Sequence, residues 1–124
     1  MTKLPEAVQQ GWDHRNGPVV FTTVNADGVP NAIYATCVSQ YDDEHLVVAD
    51  NYFGKTKSNI EAGSMGSLLF ITKEGKAYQV KGTIEYDTSG AYYKDMKCWN
   101  GERPGNAAAV LCVEEVFSGS TKLA

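Results

Sequence analysis

Long apolar runs are missing from this 124-residue chain. Nothing approaches the ~18 consecutive apolar residues that a membrane-spanning helix needs. The start, "MTKLPEAVQQGWDHR", carries no apolar signal core, so neither membrane insertion nor secretion is expected. An excess of positive charge is missing too. Eleven Lys and Arg stand against 15 Asp and Glu, for a net charge of -4. That balance argues against a general nucleic-acid binder, which shows a basic face. Cysteines are few: Cys37, Cys98 and Cys112 are odd in number and widely spaced. They fit a reducing cytoplasm better than a disulfide framework. His14 and His45 show no metal-ligand spacing, so no metal site is expected. No Ser/His/Asp or Cys/His arrangement is visible either.

What is present is a globular composition. Hydrophobic residues make up 43% and charged residues 21% of the chain, and the length argues for one domain, residues 1–124, with a core of its own. Leu4, Val8 and Trp12 form one stripe of a short helix, with Pro5 suited to its first turn. "VVFTTV" (19–24) is β-branched and aromatic and predicts a strand. "NADG" turns the chain, and "NAIYATCVSQ" (31–40) reads as one return strand. After "YDDE", "HLVVAD" (45–50) is the third strand. A short helix is expected from Lys55 or Thr56 to Ala62, with Gly63 as its cap. "SLLFIT" (67–72) is a continuous apolar run and predicts a buried strand.

Residues 77–86 alternate. Tyr78, Val80, Ile84 and Tyr86 face one way, and Gln79, Lys81, Thr83 and Glu85 the other, the pattern of an antiparallel strand with one wet face. Gly82 on the apolar face predicts a bulge or a barrel bend. Asp87 or Thr88 could cap a helix bearing Tyr92, Met96 and Trp99. "NGERPGN" (100–106) is a loop and "AAAVLCVEEVF" (107–117) the last strand. Cys37 and Cys112 read as small core residues in strands, and Cys98, beside Lys97, as a packed helix cysteine rather than an activated thiol. The strands arrive as hairpins rather than as βαβ units. The expected fold is mainly β (α+β): a six-stranded antiparallel split barrel with short flanking helices.

The chemistry concentrates in "ADNYFGKTKSNI" (49–60). Gly54-Lys55-Thr56 ends as a P-loop does, but the slot for the first glycine holds Ala49, and no parallel sheet surrounds it. Nucleotide hydrolysis is not expected. A strand, a loop and Lys-Thr at a helix start still make a sound anion site, from free N–H groups, the helix dipole, the Lys55 charge and the Thr56 hydroxyl. The plainer alternative is a capping Thr56 beside two solvated lysines, Lys55 and Lys57.

The order of these pieces resembles the pyridoxamine 5'-phosphate oxidase-like family of FMN-binding split barrels, which includes very small FMN-binding proteins. Two motifs carry the resemblance, "VVADNYFGKTKSNI" and "GVPNAIYATCV". It implies that Tyr34, Ala35 and Thr36 lie against the flavin ring or ribityl chain. It places Asp50 and Asn51 at the pyrimidine edge, the Asp50 side chain turned away. It assigns Phe53, Gly54, Lys55 and Thr56 to the segment that grips the FMN phosphate. It also implies a cytoplasmic homodimer with flavin between the subunits. Trp99 would then be either a partner-chain aromatic near the ring or, as the helical stripe favours, a core residue. Gln79 and Lys81 would either reach the partner's flavin or stay solvated.

The family's true oxidases carry a C-terminal arginine motif and arginines on the second strand, and this chain has neither. The resemblance therefore implies an FMN oxidoreductase passing electrons between small molecules, not a pyridoxamine phosphate oxidase. The alternative is a non-enzymatic FMN carrier, electron-transfer module or redox sensor. Deazaflavin and haem rank lower, since haem wants an axial histidine in the groove.

Overall fold

The structure, a computed structural model, describes residues 1–99 and 101–124. Its elements run α1 (Glu6–Asp13), β1 (Val19–Val24), β2 (Pro30–Ala35), β3 (Val38–Asp42), β4 (His45–Asp50), α2 (Lys55–Glu61), β5 (Gly66–Ile71), β6 (Ala77–Asp87), α3 (Ala91–Met96), β7 (Ala107–Ser118) and β8 (Thr121–Lys122). One antiparallel sheet holds every strand, in the order β2-β1-β5-β6-β7-β4-β3, with β8 on β7. The sheet curls into a half-barrel flanked by three short helices, the expected split-barrel architecture. Asn100, the first residue of the expected 100–106 loop, lies outside the described residues.

Eight strands are described rather than six. The expected return strand breaks at Thr36-Cys37, because its two halves pair at opposite ends of the sheet. β2 pairs with β1 and β3 with β4. A single straight strand cannot do both. Val38 N–H turns back to the Thr36 carbonyl at 3.2 Å, while Ala49 N–H bonds the Cys37 carbonyl at 2.9 Å. The last strand also returns at Thr121–Lys122 as a short hairpin.

The α1 stripe seats as predicted, with Leu4, Val8 and Trp12 buried and Trp12 edge-on to Phe70 at 5.2 Å. α2 closes at Gly63, whose N–H bonds the Ile60 carbonyl while Ser64 N–H bonds that of Asn59. These two bonds satisfy carbonyls the helix end would otherwise leave open.

β5 differs from expectation. Leu68 and Phe70 are buried, but Leu69 and Ile71 are 43% and 46% exposed. The run is apolar on both faces, yet only the inner face of the curled sheet is covered by this chain. Leu69 continues a cross-strand row from Tyr34 through Val20.

Gly82 sits at the expected irregularity. The ladder pairs Lys81 with Glu115 and Gly82 with Val113, so Glu114 of β7 is unmatched. A Cβ on Gly82 would lie 1.9 Å from the Cys112 carbonyl oxygen. No side chain larger than hydrogen fits that approach.

β4 and the first half of β7 are buried on both faces. Leu46, Val48, Ala109 and Leu111 join the main core, whereas Val47, Ala49, Ala108 and Val110 form a second cluster with Met96 of α3. α3 ends at Met96, sooner than its stripe suggests, and Trp99 packs on this second cluster from the turn beyond. Asp87 serves the helix start as expected, although Gly90 holds the N-cap position. The Asp87 carboxylate accepts N–H groups of Ser89, Gly90 and Tyr93. Among the described residues no helix is long and apolar enough to cross a membrane.

Candidate functional site

The break between β2 and β3 opens a cleft. It has two hollows that share Thr36, Cys37, Ala49, Asn51 and Arg103 as a common wall. One, of about 270 Å³, is completed by Ile33, Tyr34, Ala35, Tyr52 and Phe53. The other, of about 250 Å³, is completed by Val38, Ser39, Met96, Lys97, Trp99 and Gly105. Tyr34 and Tyr52 stand at the first hollow, 79% and 76% exposed.

Five of the nine sequence-predicted residues meet here: Tyr34, Ala35, Thr36, Asn51 and Phe53. Phe53 also packs on the core, 6.1 Å from the Phe21 ring. Asp50 does not line the cleft. It is 2% exposed, and its carboxylate accepts Phe53 N–H at 3.0 Å and the Tyr86 hydroxyl at 2.5 Å. Its side chain stands behind the wall and fixes the 50–53 turn. Burial, then the bond to Asp50 and the charges of Asp50 and Glu61, push the Tyr86 phenol well above its ordinary range, so Tyr86 remains a donor.

Lys55 lines a neighbouring hollow of about 350 Å³ with Asn31, Ser58 and Asn59. Thr56 is buried, and its hydroxyl accepts from Asn31 Nδ2 at 3.3 Å. Gly54, not Thr56, is the N-cap of α2, and no side chain caps the helix there. The plain reading of Thr56 as a capping residue is thus overturned. The first turn holds Lys55 and Lys57 and no acid. Cations at a helix N-terminus oppose its dipole, by about 0.3–1 kcal/mol each. An arrangement that forgoes this stability is suited to an arriving anion.

The sequence does not point to several of the lining residues, Cys37, Lys97 and Arg103 among them. Cys37, expected within a strand, is half-buried in the β2–β3 link. Arg103 lay in a loop with no periodicity to aim it. Trp99 packs on the second cluster, as the helical stripe favours, and it also lines this chain's own cleft. Its indole N–H donates to Asp95. Gln79 and Lys81 line neither hollow, and the Lys81 ammonium lies over Phe117 at 4.9 Å. Cys98 is exposed rather than packed. His14 Nδ1 faces the Gln10 carbonyl and His45 Nδ1 the Asp42 carboxylate, both away from the cleft lining.

The comparisons agree with the split-barrel fold. Residues 4–117 match the sequence model of the pyridoxamine 5'-phosphate oxidase family, and the chain belongs to that family. It is 35% identical to an uncharacterized protein of Methanocaldococcus jannaschii, over 95% of this chain and 82% of that one. A solved candidate pyridoxamine 5'-phosphate oxidase of Lactobacillus delbrueckii superposes with a TM-score of 0.81 at 28% identity, covering 94% of each chain. HupZ of Group A Streptococcus superposes at 0.79 with 31% identity, covering 92% of this chain and 94% of that one. The fold extends to the haem storage protein HutZ of Vibrio cholerae (17% identity, TM-score 0.67, 94% and 95% covered), a likeness that shows the fold alone.

Proposed function

We propose that this protein binds FMN in the β2–β3 cleft and acts as an oxidoreductase through it. The observation that carries the reading is the adjacency of two features. A cleft with apolar walls and exposed aromatics lies beside a polar hollow furnished with Lys55, Asn31 and Asn59. The residues fit the group. Ala35, Ala49 and Phe53 offer flat apolar contact for a ring, and Thr36 offers a hydroxyl. Lys55 and the uncapped first turn of α2 offer donors to a phosphate, and the buried Thr56 supports them by holding Asn31. Bound flavin supplies hydride or single-electron chemistry, and the chain's part is to hold it, exclude water and admit a second molecule. Asp50 contributes by fixing the turn that carries Asn51 and Phe53.

The assembly we propose is a cytoplasmic homodimer, with the flavin covered by the second subunit. Tyr34 and Leu69, exposed at the two ends of the row through the half-buried Val20, and the exposed Tyr52 support this, since a lone chain leaves them in water.

The visible spectrum of purified protein, before and after adding FMN and removing the unbound excess, tests the reading. Retained flavin bands in the natural protein and their loss in Lys55→Ala/Thr56→Ala are expected. Unchanged FMN affinity in that variant would sink the phosphate assignment.

One observation favours a second reading, a non-enzymatic carrier or electron-transfer module. The described lining of the cleft contains no carboxylate and no imidazole to move a proton. Reduction of the bound flavin by NAD(P)H favours the enzyme. Reduction only by dithionite or a partner protein favours the carrier.

A further inference from the structure

Arg103 is one of two arginines in the chain, and the other has a structural post. Arg15 donates to the Trp12 carbonyl at 2.8 Å and stacks over the Trp12 ring at 4.3 Å. Among the described residues the Arg103 guanidinium takes no hydrogen bond, ion pair or ring contact. Yet the loop that carries it is tightly held. Lys97 Nζ donates to the carbonyls of Pro104 and Gly105 at 3.0 and 3.4 Å. Gly105 N–H donates to Asn51 Oδ1 at 2.9 Å, Asn106 Nδ2 to the Asn51 carbonyl at 3.3 Å, and Asn106 N–H to the Asp50 carbonyl at 2.8 Å. Gly105 is buried at φ 54, a conformation that favours glycine, and a Cβ there would meet Lys97 Nζ at 3.2 Å. The side chains of Lys97 and Asn51 are therefore spent on the loop. Arg103 is left as the cation at the wall common to both hollows.

We infer that the hollow walled by β3 and the end of α3 takes a small organic carboxylate, its apolar body against Trp99, Met96 and Val38 and its charge on Arg103. The volume fits. A dry cavity of about 150 Å³ accepts benzene, and this one offers about 250 Å³. The polarity fits as well: Trp99, Met96, Val38 and Ala49 give an apolar lining, and Ser39 and Thr36 add hydroxyls to the same hollow. The sign is local, because the whole chain is acidic at -4 and general attraction of anions is not at work. An arginine fork suits the two oxygens of a carboxylate. The inference deepens the flavin reading by naming the class of molecule the second hollow admits. It rests on that reading for the molecule's role as electron donor or acceptor, not for its binding.

The test titrates FMN-loaded protein with benzoate and with benzamide, its neutral counterpart, following the flavin absorbance and the tryptophan fluorescence. Benzoate should bind at least ~10-fold more tightly than benzamide, the scale of one charge-assisted hydrogen bond. Arg103→Gln should erase that preference while keeping FMN, and Arg103→Lys should restore part of it. Equal binding of benzoate and benzamide, or an unchanged preference in Arg103→Gln, overturns the inference. So does inorganic phosphate competing as well as benzoate, since the apolar body would then be irrelevant. Loss of FMN from Arg103→Gln would make Arg103 a cofactor ligand instead. Should the natural protein bind no FMN, the flavin reading fails on its own. The same fluorescence titration of the flavin-free protein then still decides the carboxylate.

Discussion

Tyr86 on β6 donates its hydroxyl to the buried Asp50 carboxylate at the end of β4, 36 positions away and 2.5 Å distant. The other oxygen of that carboxylate holds Phe53 N–H. One side chain thus ties the barrel wall to the turn that forms the cleft. Removing the phenol in Tyr86→Phe leaves a buried acceptor short of a partner, at a cost of roughly 1–3 kcal/mol. Urea unfolding at neutral pH measures it. The variant should also respond differently to alkali. The native phenol holds its proton more tightly than the ordinary value of 10.0, through burial first and the Asp50 bond second. Its contribution is therefore intact below about pH 10 and is lost as the pH rises above that value. Tyr86→Phe should lack this part of the alkaline loss.

Asp87 behaves in the opposite sense. Burial draws its carboxyl upward, but the N–H groups of Gly90, Ser89, Tyr93 and Tyr92 outweigh this and hold it below 3.8. Its contribution is present above about pH 3.8 and disappears as the pH falls through the lower, folded-state value. Asp87→Ala should cost about 0.5–2 kcal/mol, as lost helix caps do. It should also loosen α3. Trp99 fluorescence then shifts before global unfolding, whereas a shift only together with global unfolding would deny the local role.

Two glycines next to the same strand should respond unequally to alanine. At Gly82 the new Cβ meets a backbone oxygen at 1.9 Å, and the sheet cannot withdraw. Gly82→Ala should lose roughly 3 kcal/mol or more. At Gly11 the Cβ meets the Tyr78 ring edge at 2.6 Å, a side chain rather than the backbone. Alanine also gains about 1 kcal/mol in a helix. Gly11→Ala should therefore be far milder. Thermal melting of the pair, side by side, settles the ranking.

The three thiols should be modified in a fixed order. Cys98 is exposed and should react first with a thiol reagent. Cys112 should react last: burial raises its pKa more than a bond to Thr83 lowers it, and Glu85, Glu114 and Asp42 add to the rise. Cys37 lies in the wall shared by both hollows, so saturating FMN should slow its modification alone. Mass spectrometry of peptides after timed labelling reads all three rates. Equal labelling of Cys37 with and without FMN would place the flavin elsewhere.

Much of this was legible in the order of residues, for identifiable reasons. Alternation fixed β6, the Leu4/Val8/Trp12 stripe fixed α1, and the bulge at Gly82 announced itself as a glycine on an apolar face. The break at Thr36-Cys37 was hidden, because "NAIYATCVSQ" has uniform strand propensity and only the pairing partners differ at its two ends. The cleft was half legible. Residues adjacent in sequence, Tyr34–Thr36 and Asn51–Phe53, came together as expected. Arg103 reached them through a loop whose shape depends on Asn51 and Lys97, and such long-range hydrogen bonds leave no periodic trace. Cys98 and the outer half of β5 misled because apolar side chains need not be covered by their own chain.

The unmatched Glu114 has a consequence for comparing this chain with its relatives. Before it, the odd-numbered residues of β7, Ala109, Leu111 and Val113, point to the core; after it, the even-numbered Val116 does. The strand thus reverses phase at one acidic residue. An ungapped alignment with a relative that lacks this extra residue would exchange inside for outside over the rest of the strand. Inner and outer faces of β7 should be tabulated separately on either side of that residue.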